Sequence, residues 1–486
     1  MRRRTPALLA LAALALVPGA CRDEHEGAPR VTVIGGEPKL RDPALAPLSA
    51  PDAVLIANIG QGLVRFDGAG NIVSGLAERW TVTDDGLSYI FRLAAAQWPD
   101  GRKISAKDVA RLLKRELASR SRNSLKDQFG AVKDVVAMTD RVIEIDLIAP
   151  RTDLLSLLAQ PQMAILRNGQ GTGPLTPSPA GNGRIKLTRA IVSPDEETSR
   201  EELLLGGAES GAAVQAFAAG DVDLVLGGTF ADLPPAQRAK LPRGSLHFDP
   251  ASGLFGLVPA ASGGPLDKPE VRQLLSQAID REALVAALAV PGLAPRATLL
   301  EPGIDGLPPP AVPTWFATPY ADRIAGLQAQ ARRLFPKDPR PTIRVALPQG
   351  AGADLLFQVL QRDWGWLGFT VEREQEAGAA DFALVDEVAP STSPSWFVRR
   401  FRCERVPVCD PNADALMDGA RLSPVPAQRY ALLGQAAALI DSGTLFLPIA
   451  APVRWSLVSE RIQGFAGNRY ARHTLTDLEA KPGGGD

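Results

Sequence analysis

Histidine and cysteine are nearly absent from this chain, with three of each among 486 residues. His25, His247 and His473 lie far apart, and Cys21 lies far from Cys403 and Cys409, so no ligand set with zinc-site spacing can be written. A metal site is not expected. Surplus charge is lacking too: 53 Lys and Arg face 54 Asp and Glu, and without the three arginines of the leader described below the balance is 50 against 54, net −4. Such a surface offers no excess cations to a phosphate backbone, which disfavours general nucleic-acid binding. Long apolar runs are missing as well. The stretch Ala7 to Val17 is shorter than the ~20 helical residues that a ~30 Å bilayer core requires, so no transmembrane span is expected. Catalytic signatures do not occur either: there is no Gly-x-Ser-x-Gly elbow, no phosphate loop, no HExxH and no calcium loop. Gly350-Ala-Gly352-Ala-Asp354 lacks the third glycine of a dinucleotide fingerprint. No enzyme and no cofactor is expected.

What is present is ordinary globular composition, 45% hydrophobic and 22% charged, at a length that suggests roughly three domains. The 45 glycines and 42 prolines indicate many turns and few long helices. Arg2-Arg3-Arg4, the apolar run and Pro18-Gly19-Ala20-Cys21 have the three zones of a secretory leader over residues 1–20. A cysteine after small residues at the cleavage point resembles a lipobox, which makes Cys21 the lipid-attachment candidate; an ordinary cleavage with an incidental cysteine is the alternative. Residues 21–30 then read as a tether, and the protein as a membrane-anchored lipoprotein of the periplasm. In that oxidising compartment Cys403 and Cys409 are expected to form a structural disulfide rather than a redox pair.

The pattern along the chain is α/β. Asp67-Gly68 and Asp84-Asp85-Gly86 mark hairpins. Ser105 followed by Asp108 predicts a helix opening at Ala106, with Ile104 and Val109 as a staple. Val271, Leu274, Leu275, Ala278 and Ile279 have helical spacing, and a second helix is expected from Asp280 to Pro291. Strands at 343–347, 369–373 and 381–385 with a helix over 353–366 predict a βαβ unit on a mostly parallel sheet. Trp80 and Trp98 read as packing residues, the acids Asp195-Glu196-Glu197 as a solvated run, and residues 481–486 as a disordered tail.

A family resemblance rests on Gly60-Gln-Gly-Leu-Val-Arg-Phe-Asp67, Gly75-Leu-Ala-Glu-Arg-Trp80, Asp84-Asp-Gly-Leu-Ser-Tyr-Ile-Phe-Arg-Leu93, Trp98-Pro-Asp-Gly101 and Ser105-Ala-Lys-Asp-Val109. Gly171-Thr-Gly-Pro174, Gly220-Asp-Val-Asp-Leu224, Phe446-Leu-Pro-Ile449 and Ile462-Gln-Gly-Phe465 follow in the same order. These segments resemble family 5 extracellular solute-binding proteins, the oligopeptide/dipeptide-binding group of bacterial ABC importers. The resemblance implies a type II periplasmic binding protein with two hinged lobes and an extra small domain. Lobe I is expected from 31–55, 170–260 and 450–480, the small domain from 56–169, and lobe II from 261–449. It further implies a monomer that captures a peptide or peptide-like solute and delivers it to an ABC permease in the inner membrane. A sensing or interaction protein that keeps the fold without high-affinity uptake is the alternative.

The same resemblance places two anchors for a bound peptide, and this sequence departs from both. Where relatives carry an aspartate for the α-amine, this chain reads Asp386-Glu-Val-Ala-Pro-Ser-Thr-Ser-Pro394. Where dipeptide binders carry a basic residue for the carboxylate, Pro348-Gln-Gly-Ala-Gly-Ala353 has none. The expectation is therefore a cleft lined by Asp386 and Glu387, meeting a cationic solute, with Trp396 and Phe397 as a stacking wall.

Overall fold

The computed structural model describes residues 27–192, 198–337 and 339–480. The leader, Cys21, the acids Asp195 to Glu197 and the C-terminal tail 481–486 lie outside the described residues. Three sheets organise the chain. The first has seven strands in the order Leu246–Phe248, Arg454–Val458, Leu224–Thr229, Arg30–Ile34, Thr198–Ala208, Ile185–Val192, Thr176–Pro179. Its central strand, Arg30–Ile34, runs parallel to both neighbours and buries Val31 and Val33, whereas the outer pairs are antiparallel. The second sheet orders Thr370–Glu374, Thr342–Ala346, Phe382–Val388, Gly253–Pro259 and Leu447–Ala450. The third is a four-stranded antiparallel meander, Ala77–Val82, Ser88–Leu93, Val142–Leu147 and Val132–Thr139, backed by the helix Ala106–Leu117.

Local chemistry explains where these elements begin and end. Ser105 caps the helix Ala106–Leu117 by accepting from the Asp108 amide at 3.2 Å, which satisfies one of the four amides a helix start leaves free. Val109, Leu112 and Leu113 then enter the small-domain core with Phe91 and Trp98, while Trp80 packs partly buried against it. Asp280 caps the helix Arg281–Leu288 through the Ala283 amide at 3.0 Å. That helix ends before the expected Pro291, because Ala289 turns into the left-handed region at φ +48°.

Three expectations need correction. The βαβ unit forms, with Thr342–Ala346 parallel to Thr370–Glu374 and to Phe382–Val388, but the sheet is mixed because Gly253–Pro259 joins it antiparallel. For the same reason lobe I does not run to residue 260: the chain leaves its sheet after Phe248 and enters the lobe II sheet at Gly253. The Asp249-Pro250 step breaks the strand there, since proline cannot donate to a ladder. Finally, a boundary at residue 56 would divide the helix Ala50–Ile59, whose Leu55 and Ile59 pack in the lobe I core.

The lobes are joined by two crossings, 249–252 and 451–453, held side by side where the Asp249 amide donates to the Arg454 carbonyl at 3.0 Å. Beside them one apolar core is continuous from lobe I into lobe II, with Phe230 and Phe255 rings 4.7 Å apart. In lobe II, Cys403 and Cys409 are disulfide-bonded.

Candidate functional site

Between the two lobes and the small domain lies a cavity of about 740 Å³. All three units supply its wall: Thr229, Arg454 and Arg472 from lobe I, Asp386, Trp396 and Arg400 from lobe II, and Gln128, Gln160 and Gln162 from the small domain. Its floor is shaped by a bulge in the strand Leu224–Thr229, where the register slips between Val225 and Gly228. Gly227 takes φ +85° there, and a Cβ on Gly228 would strike the Trp455 indole at 2.2 Å, so both positions demand glycine.

The expected acids are here, but they are already occupied. Asp386 receives Arg454 Nη1 at 2.8 Å in a half-buried ion pair that spans the two lobes. Burial pushes the Asp386 carboxyl up, against the pull of Arg454. Glu387 receives Arg400 at 2.6 Å on the exposed side. Each carboxylate thus has an intramolecular cation, so a cationic solute would have to displace Arg454 or Arg400 to reach it. Trp396 lines the cavity, edge-on to Phe397 at 4.9 Å. Phe397 is itself fully buried in the lobe II core and does not line the cavity, because the helix Pro394–Arg399 turns that side chain toward Val398 and Phe401 in the core cluster.

Cations dominate the wall. Arg399, Arg400, Arg405, Arg454 and Arg472 line the cavity with only two acids, Asp386 and Glu387, so the cleft is locally positive in a protein of net charge −1. Arg405 is paired with Asp127, and Arg399 donates to the Asp127 carbonyl. Arg472 differs. Its Nε donates to Gln160 Oε1 at 3.3 Å, and its two terminal nitrogens have no acceptor among the described residues. Burial and then the nearby Arg454 push its guanidinium down to about 10, still charged at neutral pH.

The segment carrying Arg472 is tightly held. Asn468 is buried, and its Oδ1 accepts from the Tyr470 and Arg472 amides at 3.1 and 3.2 Å while its Nδ2 donates to the Arg472 carbonyl at 2.7 Å and the Gly68 carbonyl at 3.3 Å. Ala471 adopts φ +48°, an uncommon conformation for a residue with a Cβ. Tyr470 stacks on Phe66 at 4.6 Å. These contacts aim Tyr470 and Arg472 into the cavity. Beneath them a recess of about 80 Å³ shares Ala53, Gln160, Gly227, Ala471 and Arg472 with the main space and adds apolar Val33, Val54 and Leu226.

The anchor position after the strand Thr342–Ala346 has a different role here: the Pro348 carbonyl accepts from Arg373, which also pairs with Asp354, and this group is not part of the cavity wall. Arg472 lies in a segment without helix or strand, where no periodicity marks a side chain for the cleft. Its signal is nevertheless readable: from Arg461 to Thr476 the chain carries Arg461, Arg469, Arg472 and His473 with no Asp or Glu. Among the described residues no group of three or more His, Cys, Asp or Glu is placed to hold a metal, and no helix is long and apolar enough to cross a membrane.

The family model of bacterial extracellular solute-binding proteins, family 5, matches residues 71–199 and 206–399. The chain belongs to that family. Similar proteins include the probable di/tripeptide-binding protein 5 of Pseudomonas aeruginosa strain UCBPP-PA14, 25% identical, with 86% of this chain and 89% of the relative covered. Among solved structures, Haemophilus influenzae OppA in complex with RPPGFSPFR is similar at a TM-score of 0.79 and 18% identity, covering 93% of this chain and 99% of that one. The Escherichia coli murein tripeptide binding protein MppA is similar at 0.79 and 18% identity, covering 93% and 98%. The fold of this family member is that of type II periplasmic binding proteins, two α/β lobes with a cleft between them.

Proposed function

We propose that this chain is the solute receptor of an ABC importer, capturing a peptide or peptide-like solute in the interlobe cavity and presenting it to a membrane permease. The observation that carries the reading is the cavity itself. It measures about 740 Å³, within the ~300–1,000 Å³ typical of small-molecule sites, and is enclosed by three units, two of which the chain links at only two crossings. Such a joint lets the lobes part and close on a solute. The di/tripeptide-binding relative makes short peptides the first class to try.

Native mass spectrometry of protein purified from its own host, followed by calorimetry with di-, tri- and tetrapeptide pools, tests this reading. A bound peptide-like mass and micromolar binding of at least one pool are expected. An empty protein that binds no pool would overturn it. Anchoring is part of the same proposal: Cys21 carries lipid and holds the receptor at the membrane facing the periplasm. Cys21→Ser should move the protein from the membrane fraction to the soluble periplasmic fraction, and unchanged membrane association would refute the anchor.

A further inference from the structure

The number of arginines around a space says little until their partners are counted. A second cavity of about 320 Å³, between the small domain and lobe II, is also rich in arginine, and most of those side chains have partners within the protein. Arg151 pairs with Asp153, Arg402 with Asp418, and Arg429 donates to the carbonyls of Pro150 and Ser423. Arg399 borders both spaces, and Arg421 is exposed to solvent with no acceptor among the described residues, so that space does not hold a half-buried guanidinium with both terminal nitrogens free.

The interlobe cavity does. Its two acids are consumed by Arg454 and Arg400, its Arg405 by Asp127, and Arg399 has only a backbone carbonyl. Arg472 presents two unpartnered terminal nitrogens on a loop fixed by Asn468. Arg472 is half-buried with its terminal nitrogens open to the cavity, and a guanidinium with both terminal nitrogens free is shaped for the two oxygens of a carboxylate. A zwitterionic peptide brings one positive charge for each negative one, and no free acid in the cavity wall waits for its ammonium.

We infer that the cleft selects net-anionic solutes, peptides or peptide-like molecules carrying a carboxylate that no ammonium of their own balances, with Arg472 as the residue that binds that carboxylate. The inference rests on the solute-receptor reading and names its substrate class. The carboxylate has two sources, an acidic side chain or a free C-terminus, and the test separates them.

Four tripeptides serve as probes for calorimetry at pH 7: Ala-Glu-Ala and Ala-Gln-Ala, each as free acid and as C-terminal amide. Ala-Glu-Ala acid should bind roughly tenfold or more tighter than Ala-Gln-Ala amide, and raising the salt should narrow the gap. Whether Ala-Glu-Ala amide or Ala-Gln-Ala acid retains more of the affinity identifies the carboxylate that Arg472 takes. Arg472→Gln should remove the preference, loosening the peptides that carry a carboxylate far more than the amide of Ala-Gln-Ala, and Arg472→Lys should restore part of it. Equal binding of all four peptides, or an equal loss on all four in Arg472→Gln with unaltered circular dichroism, would overturn the inference. If no peptide of any charge binds, the peptide reading fails by itself. The inference is then decided by glutarate and tricarballylate, which should raise the melting temperature of the wild type but not of Arg472→Gln; no shift in either would overturn it.

Discussion

Lobe II and the interlobe cleft each hold a guanidinium pushed down from its ordinary value, and the two are treated in opposite ways. In lobe II, Arg281 is pushed down to about 9 by burial and then by Arg323, yet every nitrogen has work: Nε donates to the Pro448 carbonyl, Nη1 to the Ser276 carbonyl, and Nη2 to Ser276 Oγ. Its plane also lies 5.3 Å from the Trp315 ring. In the cleft, Arg472 has one acceptor and an open cavity. The difference separates an arginine that builds the protein from one held ready for something outside it. An altered proton affinity alone would have grouped them together.

The largest expected effect comes from removing each in turn. Arg281→Met should cost about 3 kcal/mol or more in urea unfolding, because the carbonyls of Pro448 and Ser276 are left without donors in a dry core. Arg472→Met should be neutral or slightly stabilising, since it deletes a charge that the empty protein does not balance. Equal losses would break the comparison.

An acid sharpens it. Asp441 is half-buried, accepts from the Leu299 amide at 2.8 Å, and is pushed up to about 7 by desolvation. A carboxyl whose folded value lies above its unfolded value of about 4 contributes stability below pH 4 that is lost as the pH rises through 7. The wild type should therefore weaken between pH 4 and 8 by on the order of 2 kcal/mol, and Asp441→Asn should flatten that slope. Asp441 is not part of the cleft wall, so its discomfort should appear in stability and leave solute affinity unchanged. A parallel slope in the variant would show that another group is responsible.

Arg454 supplies the intermediate case, a cleft cation balanced from within. Arg454→Met should destabilise by roughly 1–2 kcal/mol by stranding Asp386, and adding Asp386→Asn should recover most of it, a coupling of about 1 kcal/mol in a double-mutant cycle. Additive losses would mean that the pair is an accident of proximity.

Much of the fold was legible in the residues. Ser105 and Asp280 announce their helices through side-chain oxygens that reach amides two or three residues on, and Asp84-Asp85-Gly86 announces its hairpin, with Gly86 at φ +67°. These are short-range signals. The lobe boundary was harder, because the run from Gly253 to Pro259 is apolar throughout and suits either sheet; only its pairing with Phe382–Val388 decides. The site was legible in part. Asp386, Glu387 and Trp396 do face the cavity, but whether an acid is free depends on an arginine 68 residues away in the chain, as Arg454 is from Asp386. Phe397 was misread because adjacent helix positions differ by about 100°, enough to send one ring to the cavity and the next to the core.

Asn468 adds a last consequence, one for heredity. Through one amide it fixes the backbone of two cavity-lining residues, Tyr470 and Arg472, and ties them to Gly68 in the small domain. Its own side chain is not part of the cavity wall. Solute preference in this lineage can therefore drift through substitutions at position 468, or at Gly70, where a Cβ would meet Asn468 at 2.9 Å, that leave the whole inner surface of the cleft letter for letter the same.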